Sequence, residues 1–121
     1  MNNGPVASNL VLLAELDKCA PGTKVRFLGC VDDYVVGRAT LRLKHNYPAS
    51  ATPKTACVDI EHVLESIKRY EVDVGSWINV IGYVERQTTR NIHVQAVAVW
   101  DAGNIDLDAY QNAIDKRKEA S

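Results

Sequence analysis

Two adjacent segments of the chain alternate between apolar and polar side chains, one over residues 24–32 and the other over residues 38–45. A period of two is that of a half-buried β-strand, because successive side chains point to opposite faces. We therefore expect a hairpin with an apolar inner face that starts from Val25 and Ala39. The expected outward positions are Arg26, Leu28, Cys30 and Asp32 on the first strand, and Arg38, Thr40, Arg42 and Lys44 on the second.

Three further segments read as strands, and three read as helices. The strands are Thr55–Val58, Trp77–Val84 and Ile92–Trp100. The helices are Leu10–Leu16, which Ser8 or Asn9 could cap, a segment that Asp59 opens and that ends near Tyr70, and a C-terminal helix from Ile105 to Arg117. Apolar residues at three- and four-residue spacing support the last two, for instance Ile60, Val63, Leu64 and Ile67 in the middle one.

The order of these elements predicts an all-β fold with flanking helices. Five strands, with one helix between the third and the fourth, follow the order of the OB-fold, a small closed Greek-key barrel. Gly29 and Gly82 fall within strands, where a barrel this small needs bends. We expect residues 1–9 to form a flexible tail and residues 10–121 to form a single OB-fold domain with a C-terminal helix.

Charge and chemistry exclude several classes of protein. The 121 residues carry 14 Lys and Arg against 15 Asp and Glu, a net charge of −1, so the chain is not a strongly basic nucleic-acid binder. Three cysteines without C-x-x-C spacing indicate neither a zinc site nor a disulfide framework, and they favour a reducing, intracellular compartment. No apolar run approaches the roughly 18 residues of a membrane span, and no secretory signal is evident. Three histidines on three different elements suggest no catalytic arrangement, so we expect no enzyme, metal or cofactor.

The outward cations of the hairpin are the best candidates for nucleic-acid contact. OB-folds bind single strands in a basic groove across the second and third strands, with aromatic side chains for base stacking. Aromatic residues are scarce, since Phe27, Trp77 and Tyr83 are expected in the core. A solvated sheet face is the alternative interpretation. The candidate residues are Arg26, Arg38, Arg42, Lys44 and Tyr47.

The C-terminal helix is the best candidate for partner contact. Leu107, Tyr110 and Ile114 form a narrow apolar stripe of the kind that packs between helices, and tyrosine is a frequent interface anchor. With Ala113 beside the stripe and Arg117 at its end, these are the expected partner-binding residues. The alternative is that the helix packs on its own barrel.

Four short stretches in order resemble the fungal Ten1 family, the smallest subunit of the telomere-capping CST complex. They are P-G-T-K-V-R-F-L-G-C-V from Pro21, H-N-Y-P from His45, V-D-I-E-H-V-L-E from Val58 and V-G-S-W-I-N-V-I-G-Y-V from Val74. The resemblance implies a non-catalytic OB-fold that heterodimerises with an Stn1-type OB-fold subunit, through its barrel and the helix Ile105–Arg117.

The same resemblance implies partners, location and task. A larger telomere-binding subunit supplies most of the contact with single-stranded, G-rich telomeric DNA. The net charge of −1 and the scarce outward aromatic residues indicate that this chain alone binds such DNA weakly. The complex would lie at telomeres in the nucleus, where it protects chromosome ends and controls telomere length. A free-standing OB module that binds single-stranded nucleic acid in replication or RNA metabolism is the alternative, and it would not need a partner-binding helix.

Overall fold

The computed structural model describes residues 7–49, 53–68, 72–87 and 91–120 of the chain. Its strands are β1 (Asn9–Leu10), β2 (Lys24–Val35), β3 (Thr40–Lys44), β4 (Thr55–Asp59), β5 (Trp77–Gln87) and β6 (Asn91–Asp101), and its α-helix is α1 (Leu107–Ala120). Short 3-10 helices span Leu13–Lys18, Val36–Arg38 and Glu61–Val63. Within these ranges, no helix is long and apolar enough to cross a membrane.

Five of the strands close into a barrel. Their hydrogen-bonded order is β2–β3–β4–β6–β5, and β5 pairs with β2 again. β4 and β6 run parallel, while the other pairs of the barrel are antiparallel. Closure removes the exposed edges that would make an open sheet prone to aggregate. The expected five-stranded barrel is confirmed.

The barrel interior is filled from the inward phase of every barrel strand. Phe27 is fully buried on β2, and Leu41 and Leu43 are fully buried on β3, as their alternation predicts. Leu13 and Leu16 of the first 3-10 helix join the same core cluster. Burial of each such side chain stabilises the fold by about 1.5–3 kcal/mol relative to exposure.

Two glycines lie where neighbouring strands leave no room for a side chain. A Cβ at Gly82 would lie 2.4 Å from the backbone oxygen of Gln95, and one at Gly29 would lie 2.9 Å from the Cβ of Leu43. The register of β5 against β6 shifts at Gly82, where a bend is expected. At Gly29 the pairing is regular, and the irregularity between β2 and β3 comes after Val31. Close packing, more than bending, therefore requires glycine at position 29.

The connection from β4 to β5 begins with a single 3-10 turn instead of the expected amphipathic helix. The carboxylate of Asp59 accepts the N–H of Glu61 at 2.9 Å, but the cap position of the turn is Ile60, which has no side-chain capping bond, so the expected cap at Asp59 is corrected. The helix ends at Val63, and Leu64 is 44 % exposed, which removes it from the buried stripe. One turn is enough to bring Val63 to the core. The expected end of the helix near Tyr70 lies outside the described residues.

The N-terminal segment begins as a strand, which corrects the expected helix at Leu10–Leu16. β1 pairs in parallel with β2, and residue 9 therefore belongs to the sheet; residues 1–6 of the expected tail lie outside the described residues. The 3-10 helix that follows is capped by Glu15, whose Oε1 accepts the N–H of Leu12 at 2.9 Å. The serine or asparagine expected from the sequence does not supply this cap.

The outer face of β2 carries a second apolar layer beneath α1. Leu28, expected to point to solvent, is fully buried. Leu28, Leu12 and Ile114 are all buried and all lie outside the barrel core cluster. The side chain of Tyr110 lies near the backbone N–H of Leu28. These positions show that α1 packs on the barrel that precedes it, which is what keeps Leu28 from water.

Candidate nucleic-acid groove and partner-binding helix

The five side chains expected to contact nucleic acid are distributed over different parts of the surface. Arg38 and Arg42 line one groove. Arg26 lies on the part of β2 that pairs with β5, because β2 is twelve residues long and meets β3 only from residue 30 onward. Lys44 forms an ion pair at the end of β3, and Tyr47 is bonded to α1. The expectation that Arg26 lies beside the cations of β3 is therefore corrected.

The groove that holds Arg38 and Arg42 crosses the outer faces of β3, β4 and β6. Register places Arg42 beside Cys57 on β4, and Cys57 beside His93 on β6. The cavity measures about 350 Å³. Its lining residues are Val35, Arg38, Thr40, Arg42, Cys57, Asn91 and His93, and we call it the β3–β4–β6 groove.

The β3–β4–β6 groove is cationic and lacks an acidic lining residue. Within the described part of the chain, neither Arg38 nor Arg42 has a carboxylate at ion-pair distance. The Nε of Arg42 is enclosed and has no hydrogen-bond partner there. Burial raises the pKa of the Cys57 thiol, and the nearby positive charge of Arg42 partly opposes that shift. An unneutralised guanidinium pair of this kind attracts an anion, and a phosphate fits its donors.

Lys44 differs from the two groove arginines although it lies on the same strand as Arg42. Its Nζ is 3.0 Å from the carboxylate of Asp32 on β2, and both side chains are about half exposed. Such a surface pair contributes little to stability. It does neutralise the cation, so Lys44 adds less to the local potential than the two arginines.

A second surface carries cations above aromatic rings. The Arg26 guanidinium lies 5.1 Å from the ring centre of Trp100, and the Lys24 ammonium lies 6.0 Å from that of Tyr83. Tyr83 is half-buried, so its expected place in the core is wrong; the same holds for Trp77, whereas Phe27 is in the core. Cation–π contacts of this kind contribute about 0.5–1 kcal/mol at exposed sites.

His45 connects the end of β3 to α1. It is only 6 % exposed, and its Nε2 lies 3.0 Å from the side-chain nitrogen of Gln111. The ring meets Trp77 edge-on at 5.3 Å and Tyr110 at 6.3 Å between ring centres. Desolvation lowers the pKa of His45. A neutral ring that accepts from the Gln111 amide through Nε2 carries its proton on Nδ1, which is buried and has no partner among the described residues.

Tyr47 supplies a second polar link to α1. Its hydroxyl donates a hydrogen bond to the carboxylate of Asp115. That bond is the main cause of the raised pKa of Tyr47, since the phenolate would face a carboxylate. His45 and Tyr47 together hold the helix from the strand end and the loop that follows. The hydroxyl of Tyr47 is thus engaged with α1, and contact of this residue with nucleic acid stays a prediction.

The two sides of α1 have different surroundings. Ile114 is 2 % exposed, so this residue of the apolar stripe is buried within the chain itself, which corrects its expected burial against a partner. Tyr110 and Leu107 are half-buried on that side. Burial is the main cause of the raised pKa of Tyr110, which the charge of Arg26 partly opposes. An apolar stripe buries on the nearest apolar surface, here the outer face of β2. The exposed residues are Asp108, Ala109, Asn112, Ala113, Lys116 and Arg117.

His93 and Asn91 belong to the β3–β4–β6 groove, yet sequence reasoning did not assign them to a site. His93 reads from the sequence as an ordinary outward position on its strand. The parallel pairing of β4 with β6 brings it next to Cys57, 36 residues away in the sequence. Strand order in an OB barrel would have indicated that pairing. Among the described residues, no group of three or more His, Cys, Asp or Glu side chains could hold a metal ion.

A closed five-stranded barrel, with a cationic groove on one flank and a terminal helix packed on another, defines a small OB-fold binding module. A family model described as "Telomere capping, CST complex subunit" matches residues 1–115. The chain therefore belongs to the Ten1 family.

Individual relatives agree with this assignment. The chain is 29 % identical over 115 residues to Protein ten1 of Schizosaccharomyces pombe, covering 93 % of this chain and 96 % of the relative. It is similar to a chain in the crystal structure of the S. pombe Stn1–ten1 complex, with a TM-score of 0.73, 25 % identity and 98 % of both chains covered. A domain of asparaginyl-tRNA synthetase from Pyrococcus horikoshii shares only the fold. Its TM-score is 0.57 at 20 % identity, over 79 % of this chain and 23 % of that one.

Proposed function

We propose that this telomere-capping subunit forms a heterodimer with an Stn1-type OB-fold subunit and acts without catalysis. The observation that carries the proposal is its likeness, along 98 % of both chains, to a chain of the S. pombe Stn1–ten1 complex. The match to the Ten1 family along residues 1–115 supports it. The heterodimer joins a larger telomere-binding subunit and operates in the nucleus, at the telomeric region of chromosomes.

The exposed side of α1 forms the partner-binding surface in this proposal. Ala113 and Arg117 project from it. Small residues let a second helix approach closely, and arginine is enriched in interfaces. Tyr110 lies near Arg26, so the helix adjoins the surface where Arg26 covers Trp100. Leu107, Tyr110 and Ile114, which the sequence favoured as direct contacts, instead position the helix that presents these groups.

Contact with single-stranded, G-rich telomeric DNA is an auxiliary task of this chain. A net charge of −1 gives the isolated protein little general attraction for a polyanion. Arg38 and Arg42, which have no carboxylate partner among the described residues, concentrate positive charge in the β3–β4–β6 groove. They support weak binding by this chain alone and a measurable contribution within the assembled complex.

Co-expression with the Stn1-type subunit of the same organism tests the heterodimer. We expect the two chains to co-purify in a 1:1 complex, measured by size-exclusion chromatography with light scattering. A double variant, Ala113→Glu with Arg117→Glu, should abolish co-purification while the thermal melt of the isolated chain stays near that of the wild type. The control is Ala20→Glu, at an exposed position before the turn at residues 21–22, which should retain the partner.

Two results would overturn this assignment. Retention of the partner by the double variant would place the interface elsewhere. A wild-type chain that remains monomeric beside the Stn1-type subunit, yet binds single strands tightly, would support a free-standing nucleic-acid-binding module.

Titration of labelled G-rich single strands with the isolated chain tests the proposed weak binding of DNA. We expect weak binding that falls steeply with salt, because phosphate contacts release counterions. Tight binding that persists at high salt would contradict it.

A further inference from the structure

We propose that Cys57 is a modification site for a small anionic disulfide of the glutathione class, and that the adduct closes the β3–β4–β6 groove to a single strand. Modification of the thiol itself is independent of the assembly of the subunit with a partner. Its effect on the strand rests on the proposed function, because it regulates the auxiliary contact with DNA at Arg38 and Arg42.

Cys57 lies among cations on the outer face of β4. Its register partner on β3 is Arg42, and Arg38 lines the same cavity. Within the described residues, neither arginine has a carboxylate partner. Burial raises the pKa of the Cys57 thiol, and the charge of Arg42 partly opposes that rise. Reactive cysteines occur in electropositive, partly exposed surroundings, and Cys57 is half-buried.

The other two cysteines have surroundings of a different charge, although they are also half-buried. Burial and then the carboxylate of Glu15 raise the pKa of the Cys19 thiol. At Cys30, burial again raises the pKa, and the charges of Lys44 and Asp32 act in opposite directions. An anionic reagent is therefore attracted to the thiol in the groove, whereas it meets a negative charge near Glu15 and a neutralised pair near Cys30.

The donors of the groove select a disulfide that carries carboxylates. Each half of glutathione disulfide has two carboxylates and one ammonium group, so the molecule is anionic at neutral pH. Guanidinium groups bind carboxylates through pairs of N–H donors. Arg38 and Arg42 hold the carboxylates of one half while its sulfur lies beside Cys57. The cavity of about 350 Å³ lies at the lower end of the roughly 300–1,000 Å³ typical of ligand pockets, which suits a tripeptide.

The reaction is a thiol–disulfide exchange. The thiol proton passes to the imidazole of His93, which is the register partner of Cys57 on β6 and lines the same cavity. The Cys57 sulfur attacks one sulfur of the disulfide, so that a new S–S bond forms and the old one breaks. The other half leaves as a thiolate and takes up the proton. Cys57 is oxidised, the departing half is reduced by the same electron pair, and the reverse exchange restores the thiol.

Binding of the reagent, more than acidity of the thiol, gives the site its selectivity. Because burial raises the pKa of Cys57, little thiolate is present at neutral pH, and a disulfide without carboxylates has nothing to hold it there. After the exchange, the carboxylates of the adduct lie against Arg38 and Arg42 and its atoms fill the cavity. The positive charge that would attract a phosphate backbone is then neutralised.

Reaction rates with two disulfides of opposite charge test the modification. The reduced full chain is treated with anionic glutathione disulfide or with cationic cystamine, and each cysteine is followed by peptide mass spectrometry. Every rate is divided by that of a small neutral thiol with the same reagent. We expect Cys57 to prefer the anionic reagent several-fold, and this preference to weaken as salt screens the charges. Cys19, beside Glu15, should show the opposite preference.

Variants of the groove identify the source of the preference. Arg38→Gln with Arg42→Gln should abolish it at the groove thiol. The matched control is Lys18→Gln with Lys116→Gln, which also removes two exposed cations but leaves the groove lining intact, and it should keep the preference. His93→Gln should slow the reaction with both reagents and preserve their ratio, because glutamine takes up no proton in this pH range.

The effect on the strand is measured in the assembled complex with a fluorescent single strand of the telomeric repeat. The glutathione adduct of the wild type should bind the strand several-fold more weakly than the reduced complex, and dithiothreitol should restore the affinity. Cys57→Ser, treated in the same way, should keep its affinity, because serine has nearly the same size and forms no disulfide.

The possible failures can be told apart. Equal preferences at all three cysteines, or a preference that survives the double arginine variant, would overturn the modification site, while a complex that assembles and binds DNA leaves the proposed function standing. Equal rates for His93→Gln and the wild type would remove the imidazole from the exchange. A selective adduct at Cys57 with unchanged strand binding would overturn closure of the groove. If no complex forms, the proposed function fails, and the rates measured on the chain alone still decide the modification.

Discussion

The β3–β4–β6 groove and the surface beneath α1 use their polar side chains in opposite ways. In the groove, Arg38 and Arg42 have no carboxylate partner among the described residues. Beneath α1, Tyr47 is bonded to Asp115 and His45 is enclosed beside Gln111. One surface leaves its polar groups available, and the other uses them to hold the helix.

This difference teaches that the role of a polar side chain depends on what packs over it. Lys44 is paired with Asp32 of β2, whereas Arg42, on the same strand, has no carboxylate partner among the described residues. His45, which directly follows Lys44, is enclosed because α1 covers it. The different roles of the two surfaces lead to an expectation that mutations can test. Substitutions beneath α1 should change stability, whereas substitutions in the groove should change binding.

The largest effect is expected at Ile114, the most buried side chain described in α1. Ile114→Asp removes an apolar side chain from a buried site and places a carboxylate there. Loss of the side chain alone costs about 2–5 kcal/mol, and a buried unpaired charge adds to that loss. We expect an early thermal melt of the isolated chain, or a melt in which α1 detaches before the barrel unfolds.

The matched control lies one residue earlier. Ala113→Asp adds the same charge at an exposed position of α1 and should change stability by no more than about 0.5 kcal/mol. Equal melting temperatures for both variants would show that α1 does not pack on the barrel in solution. The two variants thus distinguish the side of α1 that stabilises the fold from the exposed side that is proposed to bind a partner.

The sequence predicted the barrel well because strand alternation and glycine placement are local signals. The inward positions Phe27, Leu41 and Leu43 follow directly from the period of two. The orientation of α1 could not be predicted, since an apolar stripe at Leu107, Tyr110 and Ile114 is equally suited to a partner or to the chain's own barrel. The choice depends on the outer face of β2, where Leu28 is an apolar residue at an outward position and is buried only because something packs over it.

The β3–β4–β6 groove was predicted only in part, because some of its residues come together through contacts that are distant in the sequence. Arg38 and Arg42 were found from alternation, but His93 was not, because it reaches the groove through the parallel pairing of β4 and β6. Tyr47 was assigned to the nucleic-acid surface because it flanks the hairpin, and its bond to Asp115 joins residues 68 apart in the chain. Long-range contacts of this kind leave no trace in local sequence patterns.

The next effect in size concerns His45 and pH. Burial lowers its pKa below the ordinary value of 6.5. Between that value and the lower folded pKa, the unfolded chain binds more protons than the folded chain, so stability falls as pH falls. The stability that the folded chain gains by keeping His45 neutral is complete above about pH 6.5. It is lost as the pH falls through the folded pKa. We expect the thermal melt to shift downward on acidification from neutral pH.

His45→Gln isolates this effect, because glutamine does not titrate in the same range. The variant should be less stable at neutral pH by about 1–2 kcal/mol, through loss of the ring contacts with Trp77 and Tyr110. Its melt should change less between pH 7.5 and about pH 5.5 than the melt of the wild type. An equal change in both chains would mean that other groups control the acid sensitivity.

A smaller effect is expected at Tyr47. Tyr47→Phe removes the hydroxyl that donates to Asp115 but keeps the ring beside His45. Loss of one hydrogen bond of this kind costs about 0.5–1.5 kcal/mol, and the partial exposure of the pair favours the lower end. Hydrogen exchange of the α1 amides should increase more than that of β3. Unchanged exchange in both elements would show that this bond does not hold the helix.

The smallest effect on stability is expected in the groove, and it completes the comparison. Arg42→Gln removes a charge that forms no ion pair with any described residue, and whose enclosed Nε lacks a hydrogen-bond partner. Truncation of such a group loses little favourable interaction, so stability should change by no more than about 0.5 kcal/mol in either direction. Urea titration of the isolated chain measures it beside Tyr47→Phe. If Arg42→Gln proves the more destabilising of the two, the guanidinium stabilises the barrel, and its unpaired state is not a provision for a ligand.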